Sequence, residues 1–240
     1  YEILKDHKFN VKLIGNIGKP VLSQNSTNSK TIYVIEASSY QIEYSKYFKT
    51  DYSVILNISP DHLERHQTIQ NYVKAKFKLM MNQKKKGYAY IGGDNAYLNN
   101  LAIKTKVNPK IIFLDISKLN KLKNQILNSY FKNLNNMQNL SFIFEVAKKL
   151  NLNTKKILKT INSFRGLKFR QQIVYNNKDL LVINDSKSTS FSSSINLLKS
   201  NNCIYWIVGG MYKKGDKFNL NKNYSKSIKA YIYGKNKNYF

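Results

Sequence analysis

Two rhythms of apolar and polar positions take turns along this chain. Thr31–Glu36 (TIYVIE) is a short apolar, β-branched run, which predicts a buried strand. Tyr52–Ile58 (YSVILNI) predicts a second. Thr68–Met81 then carries apolar residues at Ile69, Tyr72, Val73, Phe77 and Met80, the spacing of one helical face. Tyr88–Ile91 predicts a short strand running into Gly92-Gly93, and Ile111–Ile116 another. Leu140–Leu150 reads as a helix that stops near Asn151. Thr154 is expected to cap the next helix, to about Phe164.

The pattern changes near Gly166. Ile173–Tyr175 and Leu180–Asn184 flank Asn176-Asn177-Lys178, which predicts a hairpin. Ser188–Ser200 is a serine-rich helix with Ile195, Leu197 and Leu198 as apolar contacts. Cys203–Val208 predicts a strand entering Gly209-Gly210, and Ile228–Tyr233 another. Strands alternating with helices imply an α/β fold with mostly parallel sheets. A domain boundary is expected around residues 164–168, dividing the chain into 1–166 and 167–240. No internal repeat is visible.

Charge changes this picture little. The 240 residues hold 40 Lys+Arg against 13 Asp+Glu, a formal +27. Three of the basic residues are Arg: Arg65, Arg165 and Arg170. Readers of nucleic acid favour Arg for base edges and bidentate phosphate contacts. The lysines are dispersed, with Lys84-Lys85-Lys86 a short run, so a solvated surface is expected and a nucleic-acid partner is not. Lys and Asn share A-rich codons, which accounts for the bias without function. Hydrophobic residues at 42% exclude a disordered tail. The single cysteine, Cys203, excludes an internal disulfide. No apolar run reaches the roughly 18 residues of a membrane helix. The start, from Tyr1, has neither Met nor the order of a secretory signal, and the chain is read as a fragment.

Ligand sites of parallel α/β folds lie at the carboxyl ends of strands. Three strand ends carry suggestive residues. Glu36, opening Glu36–Glu43 (EASSYQIE), could hold Mg²⁺ beside a nucleotide, or serve as a surface or capping acid. Asn57–His66 (NISPDHLERH) has Pro60 to stop its strand and Asp61 to cap the next turn. It places His62 at a ligand-facing edge, while His66 packs or caps one turn later. Asn184–Thr189 (NDSKST) sets an acid, Lys187 and hydroxyls before a helix, a pattern that suits an anion or an ordinary cap. Gly209-Gly210-Met211-Tyr212-Lys213 repeats this logic. No GxxxxGK[ST] loop, GxSxG, GxGxxG or Cys/His zinc spacing occurs.

Together these strings resemble the Mur ligase family, and within it the D-glutamate-adding branch. Gly15-Asn16-Ile17-Gly18 resembles the family's GNIG turn. EASSYQIE resembles its E-x-SS-x-Q-L-E segment, NISPDHLERH its DHLDRH segment and NDSKST its NDSKAT segment. The resemblance runs from about residue 10 to 218. It implies an α/β, mostly parallel-sheet ATPase domain, partial here, followed by a partial Rossmann-like C-terminal domain. The family's phosphate loop is expected just upstream of Tyr1, within roughly ten residues. The implied activity joins D-glutamate to UDP-N-acetylmuramoyl-L-alanine in peptidoglycan synthesis, with ATP and an acyl phosphate. A folate-polyglutamylating relative and a basic nucleic-acid-binding module are the alternatives. The SSxQ and NDSK strings argue against the first, and dispersed lysines against the second.

The resemblance also implies roles. Glu36 and His62 would hold two Mg²⁺ ions, and a lysine after the DH motif would be carbamylated by CO₂ as a further metal ligand. Lys74, Lys76 and Lys78 compete for that role, and the pattern Tyr72-Val73-Lys74-Ala75-Lys76 favours Lys76. Asn136 and Asn139 match the family's nucleotide motif, with Asn135 where it has His. Arg170 and Asp185 would contact ATP. Lys187, Thr189 and Lys213 would face the γ-phosphate or the D-glutamate carboxylates, Lys214 being the alternative to Lys213. Asn16 would sit near the acceptor. A cytoplasmic monomer without membrane insertion is implied for the complete protein, and residues 1–240 alone are expected not to turn over.

Overall fold

The computed structural model describes residues 1–24, 28–93, 96–107, 109–211 and 216–239, with backbone only at 116, 118, 222 and 225. In chain order the elements are α1 (Glu2–Asp6), β1 (Val11–Gly15), β2 (Ile32–Glu36), α2 (Ser39–Tyr44), β3 (Tyr52–Ile55), α3 (Leu63–His66) and α4 (Ile69–Met81). Then come β4 (Tyr88–Gly92), α5 (Ala96–Lys104), β5 (Lys110–Leu114), α6 (Leu134–Lys149) and α7 (Thr154–Ser163). Last are β6 (Gln172–Asn176), β7 (Leu181–Asn184), α8 (Phe191–Lys199), β8 (Ile204–Gly209), α9 (Lys222–Ser225) and β9 (Ile228–Tyr233). Two compact units result. The first comprises Tyr1–Ile58, Gln70–Ser129 and Gln138–Phe164; the second comprises Ser59–Ile69, Tyr130–Met137 and Arg165–Phe240.

The first unit is built on parallel strands. β1 pairs with β2, and β3, β4 and β5 form a three-stranded sheet in that order. β4 lies in the middle, and Ala89, Tyr90 and Ile91 are fully buried there. That explains an apolar run without alternation: both faces are covered. On one face Tyr90 and Leu114 pack against Phe142 of α6, with Tyr52, Val54, Tyr88, Ile112 and Val146 around them. Each such side chain stabilises by roughly 1.5–3 kcal/mol through burial. A buried polar clasp sets the register on entry to β4. Ser53 Oγ donates to Gln83 Oε1 at 2.6 Å, while Gln83 Nε2 donates to the carbonyls of Asp51 (3.1 Å) and Tyr88 (2.9 Å). Tyr52 consequently sits opposite Tyr88.

The second unit holds the β6–β7 hairpin and the parallel pair β8–β9. Asn177 makes the hairpin turn, its Oδ1 accepting from the N–H groups of Asp179 (2.9 Å) and Leu180 (2.7 Å). Phe191, Trp206 and Phe218 cluster edge-to-face and stacked, with centroids 5.4–6.3 Å apart.

Several expectations shift in detail. β3 ends at Ile55 rather than Ile58, so His62 lies seven residues beyond the strand, in irregular backbone. α6 begins at Leu134, six residues before the predicted start, because Asn133 Oδ1 accepts from the Asn136 N–H at 2.9 Å. α7 is capped by Asn153, not Thr154: the Asn153 side chain accepts from the Lys156 N–H. β1 and α5 had no predicted counterpart. Among the described residues no helix is long and apolar enough to cross a membrane.

Candidate functional site

In the first unit the candidate residues gather at the carboxyl ends of β1 and β2. Gly15 has φ +105°, and a Cβ there would meet the Glu36 carbonyl oxygen at 2.3 Å, so only glycine fits. The turn returns through Lys19, whose N–H donates to the Leu13 carbonyl and whose carbonyl accepts from the Gly15 N–H at 2.9 Å. This seats Asn16 over the end of β2. Its N–H donates to the Glu36 carbonyl at 2.8 Å and its Nδ2 to Glu36 Oε1 at 3.1 Å. Glu36 is exposed. The amide therefore orients one carboxylate oxygen and leaves Oε2 without a partner among the described residues. A magnesium ion takes one or two protein carboxylates and completes its shell with waters and phosphates, and an oriented exposed carboxylate fits that habit. Among the described residues no three His, Cys, Asp or Glu side chains converge as a ready-made metal cage.

The SSxQ string has a local role. Ser38 caps α2, its Oγ accepting from the Gln41 N–H at 3.3 Å while Gln41 Oε1 accepts from the Ser38 N–H at 2.8 Å. This reciprocal capping box fixes the chain directly after Glu36.

α4 presents the three competing lysines differently. Lys74 is exposed. Lys78 donates its ammonium to the Glu43 carbonyl at 2.5 Å. Lys76 is half-buried, with Nζ 5.0 Å from the centroid of the Tyr72 ring.

In the second unit His62 has a left-handed backbone, φ +54°, uncommon for a non-glycine residue. Its Nδ1 lies 3.4 Å from Glu64 Oε1 and its Nε2 3.5 Å from Asp61 Oδ2. Both ring nitrogens thus face carboxylates, and a metal ion at His62 would have to displace one of them. His66 is buried and packs.

The same unit gathers Tyr130, Asn136, Arg170 and Asp185. Asn136 is buried, and its Nδ2 donates to the Tyr130 carbonyl at 2.7 Å. Asn135 Oδ1 accepts from Asn196 Nδ2 at 2.8 Å. The Tyr130 ring lies against Gly166 (φ +76°), where a Cβ would stand 2.9 Å away. Burial raises the Tyr130 hydroxyl above its ordinary value, and the nearby Arg170 guanidinium opposes the rise. Asn139, half-buried, belongs to the first unit.

Arg170 is held from both sides. Phe169 (φ +65°) and Gln171 (φ +48°) both adopt left-handed backbone, at a cost on the order of 1 kcal/mol each. The cost is offset by an interlock with the turn after β7. The Lys187 N–H donates to the Phe169 carbonyl at 3.0 Å, and the Gln171 N–H to Asp185 Oδ1 at 3.0 Å. Ser188 Oγ donates to Asp185 Oδ2 at 2.6 Å. Asp185 is thus first a clamp, with both oxygens engaged. The side chains of Arg170, Lys187 and Thr189 are exposed beside it. Two cations on a fixed backbone suit a phosphate or carboxylate ligand. Lys213 and Lys214 lie outside the described residues. Sequence reasoning passed over Tyr130 and Asp216. Asp216 reaches the N-terminus of α8, and no local pattern announces that contact.

Comparison with known proteins adds the family. Residues 1–152 match the Mur ligase middle domain. The UDP-N-acetylmuramoylalanine–D-glutamate ligase of Rickettsia prowazekii (strain Madrid E) is 33% identical over 255 aligned residues, covering 99% of this chain and 57% of the relative. The ligase of the same name from Rhizobium meliloti (strain 1021) is 30% identical, covering 97% of this chain and 54% of the relative. The chain thus spans little more than half the length of these relatives. Among solved structures, MurF from Acinetobacter baumannii superimposes with a TM-score of 0.59 at 13% identity, covering 86% of this chain and 58% of that one. MurF ligase from Thermotoga maritima, in complex with ADP, gives 0.58 at 12% identity, covering 88% and 62%. These structures share the α/β fold with parallel sheets described above. The middle-domain match covers more than half of the 240 residues, and the chain belongs to the Mur ligase family.

Proposed function

We propose that this chain is part of an ATP-dependent ligase that adds D-glutamate to UDP-N-acetylmuramoyl-L-alanine in peptidoglycan synthesis, in the cytoplasm. Residues 1–166 would form part of the central ATP-binding domain and 167–240 part of the amino-acid-binding domain. The observation that carries the reading is the interlock of Arg170 with Asp185–Lys187. It spends left-handed backbone at two non-glycine residues to fasten the Arg170 segment to the NDSKST turn that carries Lys187. Support also comes from the relatives, which carry the D-glutamate ligase name across nearly the whole chain.

The reaction proceeds in two balanced steps. The acceptor's alanine carboxylate attacks the γ-phosphorus of ATP, giving an acyl phosphate and ADP. The D-glutamate amine then attacks the acyl carbon, phosphate leaves, and the amine loses a proton. Both partners of the first step are anions, so charge neutralisation and alignment dominate. Bound Mg²⁺ would supply that neutralisation, held by Glu36, His62 and a carbamate on Lys76 formed when the neutral amine adds CO₂ and releases a proton. Asn16 orients Glu36 and would sit near the acceptor. Asn136, Asn139, Arg170 and Asp185 would serve the nucleotide side. Lys187, Thr189 and Lys213 would face the γ-phosphate or the D-glutamate carboxylates.

The test is phosphate release by the complete gene product with ATP and the UDP-linked acceptor. Release is expected to need D-glutamate and not to follow from L-alanine. Lys187→Ala should lower kcat on the order of 10²-fold or more with unfolding unchanged. Near-wild-type turnover would remove Lys187 from the site, and release driven equally by L-alanine would refute the D-glutamate assignment.

A further inference from the structure

We infer that Asp216 is a positioning residue for the Asp185–Thr189 turn, acting through the first turn of α8; the inference rests on the ligase reading above. Ser190 precedes α8 in extended backbone, the place of a capping serine, yet makes no side-chain cap bond. Its Oγ instead lies 3.0 Å from Ser192 Oγ and donates to Ser193 Oγ at 3.2 Å. The first helical N–H, that of Phe191, donates to Asp216 Oδ2 at 2.7 Å, across a separation of 25 residues. A carboxylate meets both a free N–H and the positive end of the helix dipole, so it is a stronger acceptor there than a hydroxyl.

The tether is double. The Phe191 ring lies 5.4 Å from Phe218 and 6.3 Å from Trp206, and Trp206 stacks on Phe218 at 5.6 Å. The chain after Asp216 therefore grips the helix start and β8 together. The turn before α8 is anchored at its other end by Asp185 on the Gln171 N–H and by the Lys187 N–H on Phe169. Ser188–Ser190 spans the gap between these anchors, and Thr189 sits inside the span. Loss of the Asp216 hydrogen bond removes one of the two ties on the Thr189 side of the turn and leaves both ties on the Arg170 side. Amino-acid binding should then suffer before nucleotide binding.

The experiment compares wild type, Asp216→Ala and Asp216→Asn in the complete gene product. Steady-state kinetics in ATP and in D-glutamate are read beside amide hydrogen exchange at Phe191. Asp216→Ala is expected to raise KM for D-glutamate about tenfold with KM for ATP within about twofold, and to speed Phe191 exchange. Asp216→Asn keeps an acceptor and should stay within about threefold of wild type on all counts. Equal rises in both KM values, an Asn variant as impaired as the Ala variant, or unchanged Phe191 exchange would each overturn the inference. If Asp216→Ala does not fold, Asp216→Glu, which displaces the acceptor by one methylene, carries the same comparison. A wild-type protein without D-glutamate-dependent turnover removes the ligase reading instead, and the tether then stands or falls on Phe191 exchange.

Discussion

The Tyr90 hydroxyl is buried in the middle of the central sheet with no hydrogen-bond partner among the described residues. Burial pushes its ionisation well above the ordinary tyrosine value, and the charge of Glu145 adds to the push. Folding thus favours the neutral form. That contribution is complete below the unfolded value, about 10, and is lost as pH rises from there towards the folded value. Tyr90→Phe removes both the unpaired hydroxyl and its titration. It should stabilise the protein by about 1 kcal/mol at neutral pH and flatten the loss of stability above pH ~10. Urea unfolding of both proteins across that range is the check. A variant less stable than wild type at neutral pH would mean the hydroxyl has a partner after all.

At the scale of elements, strands were legible where both faces are covered and helices where one apolar face repeats. β4 and α4 are examples: Tyr88–Gly92 is an unbroken apolar run, and α4 buries Tyr72, Val73, Phe77 and Met80. Ends were less legible, because the deciding atoms are remote or repetitive. The start of α6 hides among asparagines, of which Asn133 alone makes the cap that sets it. Past the end of β3, Leu56 still lies against β4, where a Cβ at Gly92 would strike the Leu56 carbonyl at 2.1 Å. The site divides in the same way. Asn16, Glu36 and the Asp185–Lys187 turn lie in contiguous strings, so sequence displays them. The Asp216 contact with α8 joins distant residues and shows only in three dimensions. The capping box after Glu36 gives a prediction at this scale. Ser38→Ala should cost about 1 kcal/mol in thermal unfolding. Ser38→Asp, which keeps an acceptor, should lose much less. Equal losses in both would show that the hydroxyl does something other than cap.

For the whole molecule, the formal +27 is spread over both units with few arginines, and the exposed cations that matter sit on fixed backbone at Arg170 and Lys187. The proposed reaction activates a carboxylate with ATP and hands it to D-glutamate. Oxygen transfer tests that claim most directly. The complete gene product is supplied with ATP, D-glutamate and acceptor labelled with ¹⁸O in its alanine carboxylate. Acyl-phosphate chemistry predicts one labelled oxygen in the released phosphate for each glutamylated product formed. Unlabelled phosphate, or phosphate released without a glutamylated product, would contradict the account.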